Sequence, residues 1–101
     1  MPLYVSLTKL TEQGRKTIKG RPERVREVNK EIVSLGGKIV AQYATLGQYD
    51  FVTVIEADSN EAVMSISVEL GARGTVIVET LPAVEVDRFI SRAWAPPSTN
   101  R

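Results

Sequence analysis

The sequence contains neither cysteine nor histidine, and these two absences remove most familiar site chemistries. Without cysteine there is no disulfide, no thiolate zinc site and no cysteine nucleophile. Histidine is the commonest general base and metal ligand near neutral pH, so its absence excludes serine–histidine triads, metalloprotease helices and histidine-bound iron or zinc. Any catalysis would rest on carboxylates, tyrosines, lysines or a borrowed cofactor. The sequence specifies no cofactor and no metal site. No apolar run approaches the ~18 residues of a membrane span. The start, Met1-Pro2-Leu3-Tyr4-Val5, lacks the basic stretch of a secretion signal, so a cytoplasmic location with no membrane contact is expected. Internal repeats and low-complexity segments are missing too.

What is present is a chain of 101 residues, 43% hydrophobic and 25% charged, which suits one ordered domain with a single core. The formal net charge is +1 but unevenly spread. Residues 1–46 carry nine Lys/Arg against four Glu, and residues 47–101 carry four Arg against eight Asp/Glu. Such asymmetry suits an anion-binding face, or oppositely charged surfaces that meet between subunits.

Alternation predicts a first strand from Leu3 to about Leu10. Thr11 can cap a short helix reaching about Lys19, and Gly20-Arg21-Pro22 interrupts it. Val25, Val28, Ile32 and Leu35 form the stripe of a second helical segment, ended by Gly36-Gly37. A strand from Lys38 to about Leu46 and another from Phe51 to Glu56 flank Gly47-Gln48-Tyr49-Asp50, too short a link for anything but an antiparallel hairpin. Asp58 or Ser59 caps a helix with Val63, Ile66 and Leu70 on its buried stripe. A fourth strand covers about Thr75 to Leu81, with Pro82 weakening its far end, and Glu85–Arg92 suits a short helix. Residues 93–101, with Pro96-Pro97, read as a tail after a domain of residues 1–92.

The order β-α-β-β-α-β is that of the ferredoxin-like α+β fold: a four-stranded antiparallel sheet with both helices on one face. If Val5, Leu7, Val52, Val54, Val76 and Val78 face the helices, the bare face carries the alternate positions. Those are Tyr4, Ser6 and Thr8, then Ile39, Ala41, Tyr43 and Thr45, then Phe51, Thr53 and Ile55, then Ile77, Glu79 and Leu81. A surface of that apolarity predicts burial, and two such sheets packed face to face would trap the hydroxyls and Glu79 around a small cavity. The expected partner is therefore a second copy, in a homodimer of the α+β barrel kind or a higher oligomer.

Five segments carry a family resemblance: Pro2-Leu3-Tyr4, Thr11-Glu12-Gln13-Gly14, Leu35-Gly36-Gly37, Tyr43-Ala44-Thr45-Leu46-Gly47-Gln48-Tyr49-Asp50-Phe51 and Thr80-Leu81-Pro82-Ala83. In order and spacing the chain resembles the GYD-domain family, named for a Gly-Tyr-Asp signature, here with Gln48 between Gly47 and Tyr49. Thr75 to Glu79 departs from the family pattern. The resemblance implies a ferredoxin-like subunit of a dimeric α+β barrel and no particular reaction.

Candidate ligand-binding residues are Tyr43, Gly47, Tyr49, Asp50, Thr53 and Glu79. At the turn, Tyr49 can donate a hydrogen bond and Asp50 accept one; the plainer account is a glycine-permitted turn closed by aspartate. On the bare face, Glu79 near Tyr43 would act as acid or base if its pKa were raised, or would simply bond a tyrosine or a cation across the interface. The basic run Arg15, Lys16, Lys19, Arg21, Arg24, Arg26 and Lys30 suits phosphate groups, but it lacks interleaved aromatics and any nucleic-acid motif. A solvated face with Glu23–Arg26 and Glu27–Lys30 pairs is its plainer reading, so nucleic acid is not an expected partner. Gly14 and Gly20 do not make a dinucleotide loop, and Trp94 suits an interface anchor or a cap on the core.

Three functions fit. The first is a regulatory or accessory oligomer holding a small molecule between subunits. The second is a cofactor-light oxygenase or isomerase acting on a small cyclic or aromatic compound, with Tyr43, Tyr49, Asp50 and Glu79 as its tools. The third is a structural assembly subunit.

Overall fold

The computed structural model of the chain describes residues 1–93; the expected tail beyond residue 93, with Trp94, lies outside the described residues. Its elements are β1 (Leu3–Leu10), α1 (Glu12–Gly20), α2 (Arg24–Ser34), β2 (Lys38–Ala44), β3 (Phe51–Glu56), α3 (Asn60–Gly71), β4 (Val76–Ala83) and α4 (Val86–Ala93). The strands form one antiparallel sheet in the order β2-β3-β1-β4. This is the ferredoxin-like topology expected from the sequence.

Local chemistry sets the element ends. Thr11 Oγ1 accepts the Gly14 N–H at 3.1 Å and donates to the Gly74 carbonyl at 2.7 Å, while Thr11 N–H reaches the Thr75 carbonyl at 3.0 Å. The start of α1 is thereby tied to the turn before β4. Gly14 is buried there, and a Cβ on it would lie 2.0 Å from the Thr75 carbonyl oxygen. Of the two expected caps for α3, Ser59 serves: its hydroxyl accepts the Ala62 N–H at 3.2 Å. Pro82 remains within β4, because β4 is an edge strand whose outer side needs no donor.

The core lies between the sheet and its covering helices in two clusters. Ile32 of α2, Ile66 and Leu70 of α3 and Ile55 of β3 form the larger, with Val28, Ile39, Val76 and Val78 packed around them. Tyr4, Ala57 and Val63 form the smaller, and the Tyr4 hydroxyl donates to Asn60 Oδ1 at 2.6 Å. Each buried isoleucine or leucine contributes roughly 2 kcal/mol.

These contacts correct the expected faces of the two central strands. Tyr4, Ser6, Thr8, Phe51, Thr53 and Ile55 lie on the helix side, with Tyr4, Ser6, Thr53 and Ile55 all buried. Val5, Leu7, Val52 and Val54 lie on the open side instead, paired as Val5↔Val54 and Leu7↔Val52. Val76 and Val78 do face the helices as expected. In β2 the register shifts between Ile39 and Ala41, so Ile39 joins the core while Ala41 and Tyr43 stay with the open face. The reason for the inversion is polar satisfaction beneath the helices: Gln42 Nε2 donates to Thr53 Oγ1 at 3.1 Å and pairs with Asn29. Thr53 is thereby satisfied under the helices, and the valines take the other side.

Candidate functional site

The register lays the open face out in rows. One row runs Tyr43, Val52, Leu7, Glu79 from edge to edge, and the next runs Ala41, Val54, Val5, Leu81. A third runs Lys38, Glu56, Leu3, Ala83, while Ile77 stands opposite Lys9 near the other end. The centre of this face is entirely aliphatic and its polar groups sit at the margins. Tyr43, Ile77 and Leu81 are exposed, at 61%, 62% and 44%. With strands ~4.8 Å apart and residues rising ~3.3 Å, the face spans about 400 Å².

The hairpin loop between β2 and β3 reaches across one end of that face. Gly47 adopts φ 103°, the left-handed region that favours glycine and lets the chain reverse. Thr45 N–H donates to the Asp50 carbonyl at 2.8 Å, and Thr45 Oγ1 donates to the Tyr49 carbonyl at 2.6 Å. Asp50 is a structural clamp: its N–H donates to the Thr8 carbonyl at 2.8 Å, and its Oδ2 accepts the Leu10 N–H at 2.8 Å. So held, Tyr49 extends its hydroxyl to Glu79 Oε1 on β4, at 3.3 Å. Partial desolvation raises the Tyr49 phenol above its ordinary value, and the Glu79 carboxylate adds to the rise through charge and hydrogen bond. The phenol therefore stays neutral and serves as a hydrogen-bond donor.

The structure thus brings Tyr49 and Glu79 together, with Gly47 and Asp50 shaping the loop that delivers the tyrosine. Tyr43 shares a row with Glu79 but stands at the opposite edge, three strand spacings or roughly 14 Å away. Thr53 is on the other side of the sheet, 4% exposed and bonded to Gln42. The sequence reading missed Val5, Leu7, Val52 and Val54 as open-face residues. The sequence carries no local signal for them, because what holds Thr53 under the helices is Gln42 on the neighbouring strand. Among the described residues no cluster of three acidic side chains could hold a metal ion.

Two further surfaces lie outside the open face. Helix α4 carries Val86, Phe89 and Ile90 on one stripe, exposed at 69%, 49% and 52%, and packs only marginally on the rest of the chain. On α1 and α2 the expected pairing differs: Glu27 is taken by Arg21 and by Arg24 Nη1 (3.0 Å), rather than by Lys30. Glu31 bonds Arg73 and stands 3.5 Å from Arg24, and Lys16 pairs with Glu12 at 3.5 Å. Arg15, Lys19, Arg26 and Lys30 make no ion pair among the described residues.

An antiparallel sheet with helices on one face and an aliphatic surface on the other defines a ferredoxin-like α+β domain with one sheet face open. The chain belongs to the GYD-domain family, whose model matches residues 4–93. It is 43% identical over 93 residues to a Thermus thermophilus protein named glutamine synthetase and cystathionine beta-lyase binding protein, covering 91% of this chain and 98% of that one. The crystal structure of FFRP-DM1 is similar with a TM-score of 0.55 and 16% identity, covering 83% of this chain and 100% of that chain. The crystal structure of TTHA0845, also from Thermus thermophilus, is similar with a TM-score of 0.55 and 20% identity, covering 85% and 96%. At such identities these two structures speak for the fold alone.

Proposed function

We propose that this chain is a self-associating accessory protein that binds other proteins, with its open sheet face closed against a second copy. The observation that carries the reading is the pair of central rows, in which Val5, Leu7, Val52 and Val54 form an aliphatic strip that no described element covers. A stable interface buries about 800 Å² per partner, roughly twice what the sheet face alone offers. The exposed stripe of α4 supplies the further apolar area. An eight-residue helix is also marginal in water on its own, so α4 gains from docking on the second copy.

The partner class is supported by the relative's name, which specifies glutamine synthetase and cystathionine beta-lyase. Folded metabolic enzymes of that kind are the proposed clients here. The unpaired cations Arg15, Lys19, Arg26 and Lys30, on the helices opposite the open face, suit an acidic client surface. The test is size-exclusion of the purified chain mixed with purified glutamine synthetase. Co-elution that weakens with rising salt supports the reading; separate elution at every ratio, with cystathionine beta-lyase behaving alike, removes the client assignment.

A second reading is favoured by the Tyr49–Glu79 pair. In it, a small molecule sits between the facing sheets and bonds to that pair, either as a regulatory ligand or as the substrate of a cofactor-light reaction. Tyr49→Phe and Glu79→Gln would then abolish ligand-dependent thermal stabilisation while leaving assembly intact.

A further inference from the structure

The two edges of the sheet are built differently. At the β2 edge the register shifts between Ile39 and Ala41, and Lys38 opens the strand. A bulge and a lysine both keep an edge from pairing with another chain. The β4 edge has no register shift and no lysine or arginine, and Pro82 stands only near its end. The one charge on β4, Glu79, is bonded to Tyr49.

The pairing fixes which backbone groups of β4 face outward. The Pro2 carbonyl accepts the Ala57 N–H at 3.2 Å, and bonding alternates along an antiparallel ladder. Even-numbered residues of β1 therefore bond β3, and odd-numbered ones bond β4 at Ala83, Leu81, Glu79 and Ile77. Val76, Val78 and Thr80 are left to turn N–H and C=O away from the sheet, where no described strand meets them. Pro82, which has no N–H, belongs to the same outward set.

A groove of about 320 Å³ runs beside this edge, between β4 and α3. Val63, Met64 and Val68 of α3 and Val78 and Pro82 of β4 make it largely apolar, and Met64 and Val68 are exposed. A strand laid against β4 continues the pleat, so its residues opposite Val78 and Thr80 point to the groove side. From Val78 to Pro82 the groove measures about 13 Å, which takes two alternate side chains spaced about 6.6 Å apart. Its rim is acidic: Glu61 shares the exposed face of α3 with Met64 and Val68, at spacings of three and seven. Glu61 makes no ion pair among the described residues, and α3 carries no lysine or arginine.

We propose that the β4 edge and the α3 groove together bind an extended segment of a partner protein, which adds to the sheet as a fifth strand. The segment has aliphatic residues at alternate positions and a lysine or arginine that meets Glu61. Main-chain bonds to Val76, Val78 and Thr80 supply affinity, and the groove selects the side chains. A second copy pairing through its own β4 would leave the groove unfilled, because its Val76 and Val78 already pack on its own core. The site is separate from the open face and from the cationic helices, and depends on neither.

It is tested by titrating the full chain with the acetylated, amidated hexapeptide lysine-valine-threonine-valine-threonine-valine, followed by nuclear magnetic resonance and by hydrogen exchange at saturation. Expected are saturable shifts at the Val76, Val78 and Thr80 amides and at the Met64 and Val68 methyls, with slowed exchange of those three amides. Val68→Asp should raise the half-saturation concentration about tenfold or more, and Glu61→Lys about two- to fivefold. Both variants should melt as the wild type does, because both side chains are exposed. Two further peptides, N-methylated on alternate amides in opposite frames, separate strand addition from mere apolar contact. One frame should lose binding and the other keep it, since an added strand uses one of its edges only. No saturable shift, saturation centred on Val5 and Val54 instead, or equal binding by the two methylated peptides would each overturn the proposal. So would protection of the Val78 and Thr80 amides that grows with protein concentration before peptide is added.

Discussion

A single missing side chain at Gly14 lets α1 sit against the turn before β4. A Cβ there would meet the Thr75 carbonyl oxygen at 2.0 Å and Leu10 Cδ2 at 3.2 Å, so Gly14→Ala must displace the helix or the strand. The expected cost is about 2–3 kcal/mol, a fall of roughly 10–20 °C in thermal midpoint that calorimetry would register. Asp50 acts through the Leu10 N–H, and Asp50→Ala should cost about 1.5–3 kcal/mol in urea denaturation, with most of the loss recovered in Asp50→Asn. Tyr49 gives a pH signature. Its folded pKa lies above 10.0, so the stability it contributes is complete below 10.0 and is lost as pH rises through the folded value. Following the Tyr49 ring carbon by nuclear magnetic resonance should give a midpoint above 10.0, and Glu79→Gln should lower it. A midpoint unmoved by that substitution would separate Tyr49 from Glu79 in solution.

At the scale of elements, the strands, the hairpin and the capped helices were legible because each has a local cause. Thr11 and Ser59 cap their helices, the loop around Gly47 is too short for a crossover, and the stripe of Val63, Ile66 and Leu70 recurs at helical spacing. The faces of β1 and β3 were not legible. In β1 the alternation points the wrong way, with Leu3, Val5 and Leu7 on one side and Tyr4, Ser6 and Thr8 on the other; β3 is apolar or β-branched on both sides, and a one-residue slip exchanges the faces. What decides between them lies in other elements: Gln42, itself paired with Asn29, satisfies Thr53, and Asn60 satisfies Tyr4. The shift near Val40 in β2 left no composition cue. Of the candidate site, Tyr49 and Glu79 were named by separate arguments, with Glu79 expected beside Tyr43; the structure sets Glu79 beside Tyr49 instead, and Thr53 followed its strand to the other face. Helix α4 offers the test at this scale. Val86→Asp with Ile90→Asp should weaken self-association while leaving the melting of the sheet unchanged, because α4 packs so little on its own chain.

For the whole molecule, the two sheet faces divide the work. The helix side supplies the core; the open side presents an aliphatic strip of the composition that interfaces cover. Substitutions on the two sides should therefore have different consequences: Ile55→Ala should cost about 2–5 kcal/mol of stability, and changes at Val54 should alter association instead. The most direct measurement is sedimentation equilibrium of the wild-type chain and of Val54→Asp, with circular dichroism to establish that the variant is folded. The account predicts a dimer or larger multiple for the wild type and a folded monomer for the variant at the same tens-of-micromolar concentration. A wild-type monomer, or a variant that keeps the wild-type mass, would contradict the claim that the open face is where the copies meet.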